Sequence, residues 1–268
     1  MKKSVQMTGF SLMELIIVIV LIGILAVSFS SLIQYSVFGY IDAKDRNRFS
    51  QSAKWLTERI AREVREALPQ SVRVNSSGNL HCVEIMNIVN ASTYLNLPAN
   101  GSITSFDAVK YDISFSPDLL AAIMPIDTND LYSNNGVLAN IASIVDNGNQ
   151  VTINLAGPTI FNRRSPQNRF YLLNSPVSFC LNNTNGQLTR YSNYALAASQ
   201  PTPPTSANSE LIAENITVNG TVFNYQPGTL SRAALLQMNF RLQNRGRNLN
   251  GNAESFDVFH EVHIRNVP

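Results

Sequence analysis

The longest apolar run in the chain sets its organisation. After Glu14 no charged residue appears until Asp42, and Leu15 to Phe29 consists almost entirely of Leu, Ile, Val, Ala and Phe. A run of that length predicts a helix able to cross a hydrocarbon core, because a helix satisfies its own backbone hydrogen bonds where water is absent. From Gln34 the pattern becomes one-sided: Phe49, Ala53, Leu56, Ile60, Val64 and Leu68 recur at spacings of three and four, with Arg48, Lys54, Glu58, Arg59, Arg62, Glu63, Arg65 and Glu66 at other positions. The same helix therefore continues with one buried stripe. Glu58 with Arg62, and Arg59 with Glu63, stand four apart and can support it. Pro69 ends it. An unbroken helix from Phe10 to Leu68 would measure roughly 90 Å.

Beyond Pro69 the period changes to two. Ser71 to Val74 and Leu80 to Asn87 bracket the turn-forming Asn75-Ser76-Ser77-Gly78-Asn79, which predicts a hairpin. Between residues 88 and 168 the pattern is weaker: Val109 to Phe115, Ile141 to Val145 and Gln150 to Leu155 read as short strands, and Ser116 to Asn135 as holding a short helix. Arg169 to Leu173, Pro176 to Asn182 and Gln187 to Tyr191 read as strands, the last two joined at Asn182 to Gly186. Ser199 to Ser209, with Pro201, Pro203 and Pro204, reads as an exposed extended loop. The clearest alternation is C-terminal. Leu236, Met238, Phe240 and Leu242 alternate with polar residues, as do Phe256, Val258, Val262 and Ile264, and the polar loop Asn244 to Glu254 joins the two strands. The predicted class is α+β, a long N-terminal helical spine packed on a mainly antiparallel β domain. Its segments are a leader (1–9), a transmembrane helix (10–33), an amphipathic continuation (34–68) and a β-rich globular domain (69–268) of a size that can bury its own core.

Charge adds an orientation. Lys2 and Lys3 precede the span, so the positive-inside bias keeps the N-terminus cytoplasmic and sends the domain outward. An ordinary secretory signal places its small cleavage residue after the apolar core. Here Gly9 precedes the core, so cutting there removes the basic head and leaves the span attached. Without Lys2 and Lys3 the 20 basic residues become 18, equal to the 18 acidic ones. That neutral balance argues against nucleic-acid binding driven by phosphate neutralisation.

Gly9-Phe10-Ser11-Leu12-Met13-Glu14 and the apolar run after it resemble the N-terminus of the type IV prepilin and pseudopilin family. The resemblance implies cleavage between Gly9 and Phe10 by a membrane prepilin peptidase and methylation of the new amine on Phe10. It also makes Glu14 the fifth mature residue, which neutralises the N-terminus of a neighbouring subunit during assembly. On physical grounds alone, a carboxylate beside a membrane span is costly enough to mark a function or a partner, the plainer alternative being a side chain that snorkels at the interface. Arg59 to Val74 and the ending Val262 to Pro268 resemble more narrowly the MshO-type minor pilins of mannose-sensitive haemagglutinin pilus biogenesis, themselves similar to the PilW and J-type pseudopilin group.

The remaining chemistry is sparse. Cys82 and Cys180, the only cysteines, fall outside the cytoplasm in this orientation, where disulfides persist. Each sits in a predicted strand on the face opposite its most apolar neighbours, and a bridge is expected rather than two separate thiols. His260 and His263 point to opposite faces of a strand and lack the spacing of a helical zinc pair. Asp127-Thr128-Asn129-Asp130 reads as a solvated turn without the glycine and terminal Glu of a calcium loop. Arg163, Arg164 and Arg169 read as surface charge. The sequons at Asn75, Asn90, Asn100, Asn182, Asn215 and Asn219 reflect Asn-rich loops. No nucleophile elbow, P-loop or dinucleotide fingerprint occurs, so neither an enzyme nor a cofactor is expected. The expected function is that of a minor pilin, made as an inner-membrane protein with a periplasmic domain and then assembled with major and minor pilins through its helix, at or near the tip of a pilus. The alternatives are a minor pseudopilin of a type II secretion system and a permanently anchored periplasmic binding or sensor protein.

Overall fold

The computed structural model describes residues 9, 11–98, 101–112, 115–218, 220–229, 231–247 and 253–265. Its first element is α1 (Leu12–Arg65), 54 residues long, or about 80 Å. The two-phase pattern of the sequence maps onto it. From Leu12 to Ile41 every described side chain is exposed, and Ala53 is the first buried one. Leu56, Ile60, Ala61 and Val64 then enter the core. The helix stops three residues short of the expected Leu68. Leu68, ahead of Pro69, is already extended (φ −67°, ψ 122°), the geometry a proline imposes on its predecessor. Ala67 instead bridges to Asn87, and the Leu68 N–H donates to the Met86 carbonyl at 2.9 Å. Of the two expected pairs along the helix, Arg59 meets Glu63 at 3.2 Å, but Glu58 pairs with Arg65 rather than with Arg62.

A hairpin of β1 (Arg73–Ser77) and β2 (Leu80–Ile85) follows, turned at Gly78, whose φ of +58° is open to glycine without steric cost. The chain then leaves this sheet for six strands: β3 (Ile88–Asn96), β4 (Ile103–Val109), β5 (Leu120–Ala122), β6 (Leu138–Asp146), β7 (Gln150–Thr159) and β8 (Arg169–Leu173). They close into a barrel in the order β3-β4-β7-β6-β5-β8. A short helix, α2 (Thr128–Tyr132), lies between β5 and β6. On its return the chain forms β9 (Val177–Asn182), β10 (Gln187–Ser192) and β11 (Asn208–Ala213), completing the antiparallel sheet β1-β2-β9-β10-β11. The barrel is thus an insertion between two strands that are neighbours in this sheet, and its ends meet where the Asn174 N–H donates to the Asn87 carbonyl at 3.1 Å. A second sheet holds β12 (Ile216–Thr217), β13 (Phe223–Gln226), β14 (Ala234–Arg247) and β15 (Ala253–Ile264), with β14 paired to the other three.

Three cores hold these parts together. The first joins the buried stripe of α1 to both sheets, through Val83, Phe179 and Leu188 on one side and Leu236, Met238, Phe240 and Val262 on the other. The second fills the barrel, where Phe106 meets Phe161 and Phe170 edge-to-face at 6.3 and 5.3 Å, the arrangement that ring quadrupoles favour. The third is the joint: Leu68 and Met86 pack with Leu131 and Tyr132 of α2 and with Leu120, Tyr171 and Leu173 of the barrel wall.

Several expectations need correction. The strand expected at Val109 to Phe115 lies earlier, at Ile103–Val109, where Thr104, Ser105 and Asp107 dilute the apolar signal; Ile113 and Ser114 fall outside the described residues. Within Ser116 to Asn135 the helix occupies only Thr128–Tyr132, and the three-residue β5 stands where periodicity has too few positions to register. The polar loop is shorter than Asn244 to Glu254, since β14 runs to Arg247 and β15 starts at Ala253; residues 248–252 are outside the described residues. Asn75, Asn90 and Asn182 of the sequons lie in strands rather than loops, Asn215 follows β11, and Asn100 and Asn219 are outside the described residues.

Candidate functional site

The residues singled out for assembly sit at the free end of α1. Gly9 is exposed with no other part of the chain within 4 Å of where a side chain would begin. Phe10 and residues 1–8 lie outside the described residues. Ser11 is the N-cap and accepts from the Glu14 N–H at 3.0 Å, so Glu14 stands in the first helical turn, exposed. Around and beyond it run Leu12, Met13, Leu15, Ile16, Ile17 and the rest of the span, all uncovered by the β body. The two serine hydroxyls at Ser28 and Ser36 donate to the carbonyls four residues back, at 3.1 and 3.0 Å, which keeps polar groups satisfied inside an apolar surface. Among the described residues one helix is long and apolar enough to cross a membrane, with a mean hydropathy of 2.9 over its best window and none of that window buried. Burial of so many aliphatic side chains is worth on the order of tens of kcal/mol, so this surface is costly to leave in water.

Cys82 and Cys180 are joined, as cross-strand partners of β2 and β9. Both occupy the face turned away from α1, while Val83, Ile85, Phe179 and Leu181 fill the face toward it. The expected faces are therefore right, yet the cysteines are only 0% and 2% exposed. Ser199 to Ser209, expected to be an exposed loop, provides part of the cover. Gln200 Nε2 donates to the Cys82 carbonyl at 3.2 Å, Asn75 Nδ2 donates to Thr202 Oγ1 at 3.0 Å, and Pro204 is buried.

Next to the disulfide lies a polar cluster that sequence reasoning missed. Glu84, wholly buried, pairs with Arg73, its cross-strand partner in β1. The Tyr194 hydroxyl donates to Glu84 Oε1 at 2.9 Å and lies 2.7 Å from Ser178 Oγ. Arg73 also donates to the carbonyls of Ala198 (2.7 Å) and Ala197 (2.9 Å), and its guanidinium carbon stands 3.6 Å over the centre of the Tyr132 ring. One cation thereby joins the hairpin, the segment after β10 and the helix α2 of the insertion. Burial pushes the Glu84 carboxyl above the ordinary range, and Arg73 and Tyr194 pull it part of the way back. Burial likewise drives the Tyr194 hydroxyl far up, aided by the Glu84 charge. In the sequence Glu84 merely continues the polar face of an alternating strand, which reads as solvent-facing; nothing local signals that a distant segment covers it.

Asp127 to Asp130 is a solvated turn only in part: Asp127 and Asn129 are exposed, but the segment opens α2 and Asp130 is buried. Asp127 caps α2 by accepting the Asp130 N–H at 3.0 Å. Asp130 is 2% exposed, accepts the Ile126 N–H at 2.8 Å and pairs with Arg163. Burial alone would raise its carboxyl, but the Ile126 N–H and Arg163 outweigh it and hold the carboxyl below its ordinary value. Arg164 is likewise engaged, donating to the Leu97 carbonyl, and Arg169 lies in β8. A group whose folded-state pKa is depressed stabilises the fold above its unfolded pKa and loses that effect as the pH falls through the folded value. Asp130→Asn should thus cost about 1 to 3 kcal/mol at pH 7, measured by urea unfolding, and the gap to wild type should close in acid below the ordinary carboxylate value of 3.8. A gap unchanged by acid would mean that the ion pair is not its source. His260 and His263 do point to opposite faces, His263 exposed and His260 half-buried between Val258 and Val262. Among the described residues no three His, Cys, Asp or Glu side chains gather as a metal set.

Comparison with family models, with curated proteins and with solved structures returns no match to this chain.

Proposed function

We propose that this chain is a minor pilin, held first in the bacterial inner membrane with its β body in the periplasm, then cut after Gly9 by a prepilin peptidase, methylated on Phe10 and inserted into a type IV pilus of the mannose-sensitive haemagglutinin kind. The observation that carries this reading is the arrangement at the free end of α1: Gly9 three residues ahead of the helix, Glu14 in its first turn, and about thirty exposed, mostly apolar residues from Leu12 to Ile41 before the helix meets the β body. A permanent anchor has use for the span alone. It gains nothing from a cleavage residue placed before the span or from a carboxylate at its start, which costs free energy in a bilayer. In a filament both features acquire a purpose, because the span leaves lipid for a bundle of equivalent helices and the carboxylate meets the amine that cleavage exposes. The β body, docked on the far end of α1, would lie on the outside of such a bundle.

The place in the filament is at or near the tip, as a subunit that primes assembly. Deleting the gene and imaging the cells tests this: pili should become rare, and complementation should restore them. Pili of normal number and length in the deletion strain would remove the priming role.

A further inference from the structure

The outer face of the five-stranded sheet carries a row of polar residues and the disulfide, and the segment between β10 and β11 crosses it. Cross-strand pairing sets Arg73 beside Glu84, Asn75 beside Cys82, Cys82 beside Cys180, and Glu84 beside Ser178. Tyr194, Ala197, Ala198, Gln200 and Thr202 of the crossing segment are fastened to this row by six hydrogen bonds: Tyr194 to Glu84 and Ser178, Ala197 and Ala198 to Arg73, Gln200 to the Cys82 carbonyl, and Thr202 to Asn75. The row itself is a surface that the two half-buried sheets do not need, since its side chains face away from their shared core.

We propose that residues 193–204 form a latched cover that keeps thiols away from the Cys82–Cys180 disulfide, with Arg73 and Glu84 as its latch. Thiol–disulfide exchange requires a thiolate to reach one sulfur along the S–S axis, so its rate depends on access. In reduction by dithiothreitol, one thiolate forms a mixed disulfide with one cysteine and expels the other as a thiolate. The second dithiothreitol thiol then releases the bound cysteine and closes the oxidised ring, leaving two protein thiols. With the cover fastened, neither sulfur is open to attack and exchange waits on local opening. The location gives the device its consequence. The disulfide ties β2 to β9, the two strands between which the barrel is inserted, so uncovering it exposes the staple at the base of that insertion. This inference stands apart from the assembly reading and uses none of its residues.

The test is the rate at which dithiothreitol reduces the full chain in detergent, read as the mass gained when quenched samples are alkylated. Glu84→Gln and Arg73→Lys weaken the latch by removing its charge or its two-pronged reach, and each should speed reduction at least about tenfold at fixed pH. Thermal unfolding without reductant, followed in parallel, should show the variants still folded. Should Glu84→Gln fail to fold, Gln200→Ala with Tyr194→Phe removes two fastenings while leaving both charged side chains of the latch in place, and should give the same acceleration. Reduction at the wild-type rate in folded variants would overturn the proposal. So would acceleration in strict proportion to global unfolding, which would show that the sheet rather than the cover guards the bond.

Discussion

Glu14→Val should leave the amount of protein in the membrane unchanged while its recovery in sheared pili falls at least about tenfold. The substitution lies in the first turn of α1, nearly forty residues before Ala53, the first side chain to enter the core, so the folding of the β body does not depend on it. Removing a carboxylate from the edge of an apolar span also favours residence in lipid. In a filament the balance reverses. The Phe10 amine of an adjoining subunit would lie among apolar helices without a counter-charge, and an uncompensated buried charge costs several kcal/mol, against about 1.4 kcal/mol for each factor of ten in an equilibrium. Equal recovery of variant and wild type in pili would return Glu14 to an interfacial side chain with no part in assembly.

The second large effect belongs to the disulfide. Replacing Cys82 and Cys180 together by Ala should lower unfolding stability by about 4 to 5 kcal/mol, because the bridge closes a loop with a sequence separation of 98 residues and the unfolded chain gains that closure entropy when it is lost. Alanine is chosen over serine so that no new hydroxyl is buried beneath the cover. Urea unfolding of the full chain in detergent measures it. A loss below about 1 kcal/mol would mean that the unfolded chain gains little freedom when the bridge is lost, and that closure entropy is not the source of its effect.

What the sequence made legible follows from how local each signal is. The helix declared itself because a wholly apolar run followed by a three-four stripe has few other solutions, and the C-terminal strands did so because Leu236 to Leu242 alternate without interruption. The cysteine pairing was legible for a similar reason, as both residues keep to the polar side of strongly alternating strands. The barrel was not. Its strands include a three-residue piece at Leu120–Ala122, register shifts interrupt β3, β4, β6 and β7, and its residues pair across long separations that no local window contains. The buried Glu84 and Asp130 were hidden by the same limit. A charged residue on an alternating strand or in an Asp-Asn turn reads as solvated unless the segment that covers it is known, and here the cover comes from residues 110 positions later for Tyr194 and 33 later for Arg163. The helix end shows the reverse case, since the rule that a residue before proline leaves the helix already placed Leu68 outside it.

The central claim is that this chain is matured as a pilin, and the mass of its N-terminal peptide tests that most directly. Protein recovered from cells that carry a prepilin peptidase, digested and analysed by mass spectrometry, should begin at Phe10, with residues 1–9 gone and one added methyl group on the terminal amine. Blocking the cut with Gly9→Leu should leave the leader in place on the same peptide. A mature chain that still begins upstream of Gly9 in the wild type, or one cut on the far side of the apolar run, would contradict the account.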